Sequence, residues 1–211
     1  MAKLQLYKDL FDHGIFKMKE IPSTEEAPYE CNFNNILSQS SLFDGYSLLA
    51  ENLVKSKNIE FDKVCAVNTG AIPYATNIAT SFCKGLLFAV DNSNDRTVKG
   101  AIKGISIEGG MKIDDRILLV VTIATPDYFI NNLITRITKY GGTVVGVIVM
   151  WDSSEGEYIP VLVDKYSVYV VVNINDVCNN LENNNLLGQY TTECVKYYGE
   201  KLMKKNIKLF S

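Results

Sequence analysis

The segment Asp115-Arg116-Ile117-Leu118-Leu119-Val120-Val121-Thr122-Ile123-Ala124-Thr125-Pro126-Asp127 decides the fold of this chain. Residues 116–123 are mostly apolar and do not alternate with polar residues, which is the pattern of a strand buried on both faces of a parallel sheet. The next four residues include Pro126, which has no N–H to donate to a continuing strand. We therefore predict a buried strand over 116–123 that ends in a turn at 124–127.

Further strands and helices alternate along the chain around this segment. Helical spacing is present at 4–11, 42–54, 72–82, 128–140, 174–182 and 190–205, and strand patterns at 15–19, 63–67, 85–90, 144–150 and 166–172. Alternation of this kind is typical of a mainly parallel sheet covered by helices on both faces. We predict a single α/β domain over residues 1–211, with a small N-terminal cap at residues 1–40 and a polar loop at 91–104.

The composition excludes several functional classes. The formal net charge of −3 gives no attraction to nucleic acid or to an anionic membrane. Apolar runs stop well short of the roughly 20 residues that span a bilayer, and the N-terminus carries charges where a signal peptide needs an apolar run. The five cysteines are odd in number and lack CxxC spacing, so we expect no disulfide framework, no metal site and a reducing compartment. The sequence therefore predicts a cytoplasmic protein without nucleic-acid or membrane partners.

Several stretches resemble the orotate phosphoribosyltransferases of the type I phosphoribosyltransferase family, in the same order and over nearly the whole chain. They are residues 10–16, 27–32, 61–75, 106–109, 115–127 and 144–152. The resemblance implies a phosphoribosyltransferase-type fold and transfer of phosphoribosyl from phosphoribosyl pyrophosphate to a base. In that family two adjacent carboxylates end the buried strand and hold the ribose hydroxyls, and the turn after them holds the 5′-phosphate.

The signature segment departs from the family at these positions. Val121-Thr122 stands where the resemblance requires the two carboxylates, and Thr122 can accept one hydrogen bond but without charge assistance. Pro126 removes an N–H donor from the phosphate turn. Tyr128-Phe129 brings bulk where the family has small residues. These substitutions predict loss of the ribose and phosphate contacts.

Other family positions have lost charge as well. Asp91 brings a negative charge to the place where the family has a basic pair facing pyrophosphate. Ser153 replaces the arginine that the resemblance assigns to the orotate carboxylate, so its bidentate pairing is lost. The family's loop histidine is missing, because the single histidine is His13, which we interpret as a helix-end residue. We expect Trp151 to pack in the core and Asp114-Asp115 to form a turn.

Nine residues are residual ligand-binding candidates: Asn68, Thr69, Gly70, Ala71, Arg96, Lys99, Lys103, Thr122 and Thr125. The first four precede a helix, whose N-terminus can bind an anion, although a plain strand-to-helix turn is the simpler interpretation. The three basic residues are also compatible with a solvated loop. We assign no catalytic residue, metal ligand or cofactor.

Two functions from different classes remain. The loss of charged groups in an intact apolar framework favours an inactive orotate phosphoribosyltransferase-like protein, reused as a structural or protein-interaction module. The alternative is an active but divergent phosphoribosyltransferase of pyrimidine nucleotide synthesis. The resemblance also implies a homodimer, and the interaction role implies a protein partner.

Overall fold

A computed structural model describes residues 3–19, 28–91, 105–123, 128–152 and 166–187. The helices are α1 (Lys3–Asp12), α2 (Ser40–Ser56), α3 (Ile72–Ser81), α4 (Tyr128–Lys139) and α5 (Ile174–Asn183). The strands are β1 (Phe16–Met18), β2 (Tyr29–Cys31), β3 (Lys63–Ala66), β4 (Gly85–Asp91), β5 (Ile105–Glu108), β6 (Arg116–Ile123), β7 (Thr143–Asp152) and β8 (Val168–Asn173). Short 3₁₀-helices occupy Phe33–Ser38 and Thr69–Ala71. The predicted helix at 190–205 lies outside the described residues, as does the polar loop after residue 91.

The main sheet is six-stranded, with the order β5-β4-β3-β6-β7-β8. Strand β3 lies parallel to β4 and β6, and β6, β7 and β8 continue the parallel arrangement, while β5 is antiparallel to β4. The predicted mainly parallel sheet is therefore confirmed. Because parallel strands all end at one edge, the residues that follow β3, β6, β7 and β8 meet there.

Strand β6 is buried on both faces, as its unbroken apolar pattern predicts. Leu118 and Val120 pack into the core cluster that includes side chains of α1, α2, α3 and α5. Leu119 and Val121 point to the opposite face, where they pack with Ile130 and other side chains of α4. Helices thus cover both faces of the sheet. Successive residues of β6 pack alternately into the two halves of the core.

The residues before α2 join the same core. A small antiparallel sheet pairs β1 with β2, with Phe16 opposite Cys31. The ring of Trp151, at the end of β7, lies 6.1 Å from Phe16 and 5.8 Å from Phe33 between ring centroids. Trp151 is 1% exposed, so its predicted role in core packing is confirmed. Strand β2 was not predicted, because three residues are too few to show a period.

Charged side chains join the amino ends of β3 and β6. Arg116 donates from Nε to Asp62 at 3.0 Å and from Nη1 to Glu60 at 2.8 Å. Lys63 pairs with Asp115 at 3.2 Å. The hydrogen bonds from Arg116 lower the pKa of Asp62 to about 2. Ion pairs therefore connect β3 and β6 at their amino ends.

The turn before β6 agrees with its prediction. Asp115 accepts a hydrogen bond from the Lys112 backbone N–H at 2.6 Å, and Asp114 has a φ of +67°. His13 is a helix-end residue as predicted, with Nδ1 2.9 Å from the Asp9 carbonyl oxygen. Within the described ranges, no helix combines the length and the apolar character that a membrane crossing requires.

Candidate functional site

The carboxyl ends of β3 and β6 bring two predicted site residues together. Ala66 lies opposite Val120 in the parallel register, so the chain beyond each residue emerges at the same edge. The Thr122 hydroxyl donates a hydrogen bond to the Asn68 side-chain oxygen at 3.1 Å. Thr122 is 4% exposed, whereas Asn68 is exposed. The site thus starts from a neutral hydrogen bond between two strand ends.

Asn68 also begins the helical turn that follows β3. Its backbone is extended, and its Oδ1 accepts a hydrogen bond from the Ala71 N–H at 3.0 Å. Asparagine is a favoured residue at this capping position, because its side chain satisfies an N–H that the helix leaves unpaired. The Asn68 oxygen therefore accepts two hydrogen bonds, one from Ala71 and one from Thr122, which uses both of its lone pairs. Pro73 in the first turn of α3 has the fixed φ that a helix start needs.

Gly70 lies against a residue that the sequence did not single out. A Cβ on Gly70 would lie 2.3 Å from Oδ1 of Asn34 and 3.1 Å from Cγ2 of Thr122. Asn34 therefore occupies the space directly above the turn. Its 3₁₀-helix is anchored by Phe33 and Ile36, which are both fully buried. No periodicity or motif marks Asn34, because its place beside Gly70 depends on the path of the chain before α2.

Val121 is a core residue. It is 3% exposed and pairs with Val149 of β7 across the sheet. Its side chain packs with Ile130 and Leu133 beneath α4. The first of the two positions that the resemblance assigns to carboxylates is thus directed into an apolar layer, where a charged group would lose its hydration.

The carboxyl ends of β7 and β8 hold a second polar group. Asp152 is 1% exposed and accepts a hydrogen bond from Asn173 Nδ2 at 3.3 Å. The Asn173 oxygen in turn accepts from the Asn175 N–H at 2.8 Å and caps α5. Asp152 is thus tied to the start of a helix.

Five of the nine candidates fall within the described residues and lie together: Asn68, Thr69, Gly70, Ala71 and Thr122. The other four are Arg96, Lys99, Lys103 and Thr125, which lie outside the described residues, as do Pro126, Ser153 and the side chains of Asp91 and Tyr128. The assembled part of the site is neutral. It offers the N–H groups at the start of α3 together with amide and hydroxyl side chains.

Metal and thiol chemistry find no support in the described part of the chain. No group of three or more His, Cys, Asp or Glu side chains that could hold a metal ion occurs there. Within the described residues the cysteines form no disulfide, and burial raises the pKa of the Cys65 thiol to about 12. A thiol with so high a pKa is a poor nucleophile at neutral pH.

The sequence is similar to proteins that share one name. The chain is 25% identical over 183 residues to orotate phosphoribosyltransferase of Thermococcus gammatolerans, which covers 86% of this chain and 94% of that protein. It is 28% identical over 152 residues to the protein of the same name from Pyrobaculum aerophilum, covering 71% of this chain and 75% of that one. The chain is thus similar over most of its length to proteins named orotate phosphoribosyltransferase. No family model matches it.

Solved structures of this group share the fold. Orotate phosphoribosyltransferase from Aeropyrum pernix superimposes with a TM-score of 0.69 at 20% identity, over 87% of this chain and 99% of that chain. UMP synthase of Leishmania donovani gives a TM-score of 0.72 at 16% identity and covers 95% of this chain. The chain spans 43% of the length of that UMP synthase. The phosphoribosyltransferase-type fold expected from the sequence is thereby confirmed.

Proposed function

We propose that this chain is a catalytically inactive relative of the orotate phosphoribosyltransferases that serves as a structural or protein-interaction module. The main support is the burial and the lack of charge at Val121 and Thr122, the two positions that the resemblance assigns to carboxylates. Val121 is packed beneath α4, and Thr122 is buried with its hydroxyl hydrogen bonded to Asn68. Neither side chain presents a negative charge to the edge of the sheet.

The Thr122 hydroxyl is a poor substitute for a carboxylate. It donates its one proton to Asn68, so a ribose hydroxyl would meet an uncharged oxygen as its acceptor. Hydrogen bonds to an ionised acceptor are roughly twice as strong as those between neutral groups. Weak acceptors of this kind give little differential stabilisation to a reacting sugar, and such stabilisation is usually the largest contribution to catalysis.

The contact between Asn34 and Gly70 also supports inactivity. A glycine in an anion-binding turn lets a phosphate approach the backbone closely. Here the Asn34 side chain fills the space through which a phosphate would approach, and its oxygen lies against Gly70. An anion at the turn would have to displace this side chain, or turn its amide so that Nδ2 instead of Oδ1 faces the anion.

The alternative is an active, divergent phosphoribosyltransferase, which the intact turn before α3 favours. Asn68 and Thr69 are exposed, and the turn opens a helix of ten residues whose first N–H groups are suited to an anion. Under this alternative Asn34 moves aside when substrate enters.

Product formation separates the two functions. Purified protein is incubated with phosphoribosyl pyrophosphate and magnesium, together with orotate or another nucleobase, and released pyrophosphate is measured. We expect no release above the protein-free rate, and a heat-treated sample gives the baseline. Magnesium- and base-dependent release of pyrophosphate would establish the active alternative.

We also propose that the chain forms a homodimer, as the resemblance implies. Leu37 is 40% exposed and Leu48 is 51% exposed, and both lie in the segment from the first 3₁₀-helix through α2. Burial of such side chains is a usual source of stability in a dimer interface. Light scattering at micromolar concentration is expected to give twice the chain mass, and a monomer mass would refute the proposal.

A further inference from the structure

An exposed apolar surface lies at the edge of the sheet opposite the candidate site. Ile113 is 76% exposed and Tyr140 is 51% exposed. A Cβ on Gly141 would lie 3.2 Å from Cγ2 of Ile113, and the Asp114 N–H donates to the Gly141 carbonyl at 2.8 Å. The turn before β6 and the turn before β7 therefore place Ile113 beside the residue that follows Tyr140.

Basic side chains surround these two apolar residues. The Arg136 guanidinium lies 5.7 Å from the centre of the Tyr140 ring, and its Nη2 donates to the Tyr140 hydroxyl at 3.4 Å. Its Nε is buried without a hydrogen-bond partner. Lys139 precedes Tyr140, Lys112 precedes Ile113, and both lysines are exposed. We call Lys112, Ile113, Arg136, Lys139 and Tyr140 the Ile113–Tyr140 surface.

The positive charge of this surface is poorly compensated within the described residues. Helix α4 has no acidic residue in its sequence from Tyr128 to Lys139. Of the two carboxylates in the adjoining turn, Asp115 is engaged by Lys63, which leaves Asp114 against three cations. Basic residues at a helix C-terminus are explained by the helix dipole. The dipole does not explain two large apolar side chains exposed beside them.

We infer that the Ile113–Tyr140 surface binds an acidic peptide segment of a partner protein, one that carries a large apolar side chain. The apolar side chain of the partner would pack on Ile113 and Tyr140, and its carboxylates would pair with Lys112, Lys139 and Arg136. Arginine and tyrosine are enriched among the residues that dominate binding energy, and contiguous exposed apolar patches mark interaction sites. An acidic segment fits because this surface is positive although the whole chain is negative.

A peptide is a better fit than a lipid surface. An amphipathic helix that lies on a membrane presents an apolar stripe along its whole face. On this surface the exposed apolar groups are two side chains, Ile113 and Tyr140, which come from two different turns. Two side chains are enough to hold one apolar residue of a short peptide. This inference rests on the proposed interaction role and names the chemistry of the partner.

Selection from a displayed random-peptide library tests it with the full chain as bait. We expect the enriched peptides to be acidic and to contain at least one large apolar residue. A synthetic copy of an enriched peptide should bind roughly tenfold more weakly to the Ile113→Ala, Tyr140→Ala double variant. Lys112→Glu with Lys139→Glu should weaken it similarly, and raised salt should weaken it further. These four side chains are exposed, so melting temperatures should change little.

Lys8→Glu with Lys57→Glu is the matched control for the charge-reversed variant, because both lysines are exposed and neither belongs to the Ile113–Tyr140 surface. It should leave peptide binding unchanged. Enrichment of neutral or basic peptides, failure to enrich any, or binding that survives both double variants would overturn the inference. Attachment to vesicles of anionic lipid that depends on Ile113 and Tyr140 would overturn it as well.

The peptide-binding experiment and the pyrophosphate assay can fail independently of each other. A chain that releases pyrophosphate but still selects acidic peptides through Ile113 and Tyr140 refutes inactivity and keeps this surface. A chain that does neither keeps inactivity and loses this surface.

Discussion

The two ends of β3 and β6 carry different kinds of polar group. At the amino ends, Arg116 is paired with Asp62 and Lys63 with Asp115, with nitrogen–oxygen distances of 3.0 and 3.2 Å. At the carboxyl ends, Thr122 and Asn68 share a neutral hydrogen bond of 3.1 Å. Chemistry on phosphates needs charges preorganised at the reacting end. On β3 and β6, the charged groups lie at the ends where they pair the strands, and the groups at the carboxyl ends, where a transferase would react, are neutral.

Placing charge at the carboxyl ends should be the most costly change. In the Val121→Glu, Thr122→Asp double variant, two carboxylates would enter positions that are 3% and 4% exposed. We expect a loss of several kcal/mol in the free energy of unfolding, measured in urea, because these charges have no partner to offset their desolvation. The variant should still fail to bind phosphoribosyl pyrophosphate.

A Val121→Thr variant, similar in shape and uncharged, serves as its control and should lose much less stability. If the double variant were as stable as the parent and formed orotidine monophosphate, the pocket would be intact and charge alone would be missing.

The contact above the turn should give the next largest effect. Gly70→Ala introduces a Cβ 2.3 Å from Asn34 Oδ1, the end of an exposed side chain that can rotate, and 3.1 Å from Cγ2 of the buried Thr122. We expect it to cost about 1–2 kcal/mol in the free energy of unfolding. Asn34→Ala removes that obstacle, so the same glycine substitution should cost about 1 kcal/mol less in this background. Equal costs in the two backgrounds would show that Asn34 does not press on Gly70.

Substitutions of Asn68 should change the free energy of unfolding less, and the change should depend on whether the new side chain can accept hydrogen bonds. Asn68→Ala removes the acceptor for both the Ala71 N–H and the Thr122 hydroxyl, and should cost about 1 kcal/mol. Asn68→Asp keeps an acceptor and places a negative charge at a helix start, where it is favourable, so its stability should match or exceed that of the parent. Equal losses in the two variants, seen in thermal melts, would assign the effect to something other than the hydrogen bonds.

At the amino ends the expected effect is the smallest, because the partners are more than one-third exposed and screened by solvent. The depressed pKa of Asp62, about 2 compared with about 3.9 in an unfolded chain, stabilises the fold above pH 4. This contribution should disappear as the pH falls toward 2, since protonation removes the charge. The gap in melting temperature between parent and Asp62→Asn should therefore be constant above pH 4 and close below it. A gap independent of pH would contradict the role of the ion pair.

The sequence was a good guide to the sheet and a poor one to the site. Strand β6 was predicted because burial on both faces removes polar residues from its whole length, and β7 followed from the same pattern. The helix at 72–82 was predicted from its spacing, and α3 begins there with Pro73 in its first turn. Strand β2 and the 3₁₀-helix after it were missed, because these short segments show no local period. They gain stability from distant contacts, Tyr29 with Phe16 and Phe33 with Trp151.

The interior of the site depends on contacts between distant segments. The sequence indicated Thr122 as a hydrogen-bonding residue, but its partner is Asn68 within the same chain. Asn34 carried no signal, because an asparagine in a short segment has no pattern that relates it to Gly70. Such pairings follow from the fold as a whole and cannot be deduced from local sequence.

Direct binding of phosphoribosyl pyrophosphate tests the central claim most sharply. The ligand is titrated with magnesium into the parent chain and into Asn34→Ala by calorimetry, and orotate phosphoribosyltransferase of Thermococcus gammatolerans is the positive control. The account predicts no heat of binding at micromolar to millimolar ligand for the parent, and no ligand-induced rise in melting temperature. Magnesium-dependent binding to the parent chain at micromolar concentration would contradict the claim that its site has lost its substrate.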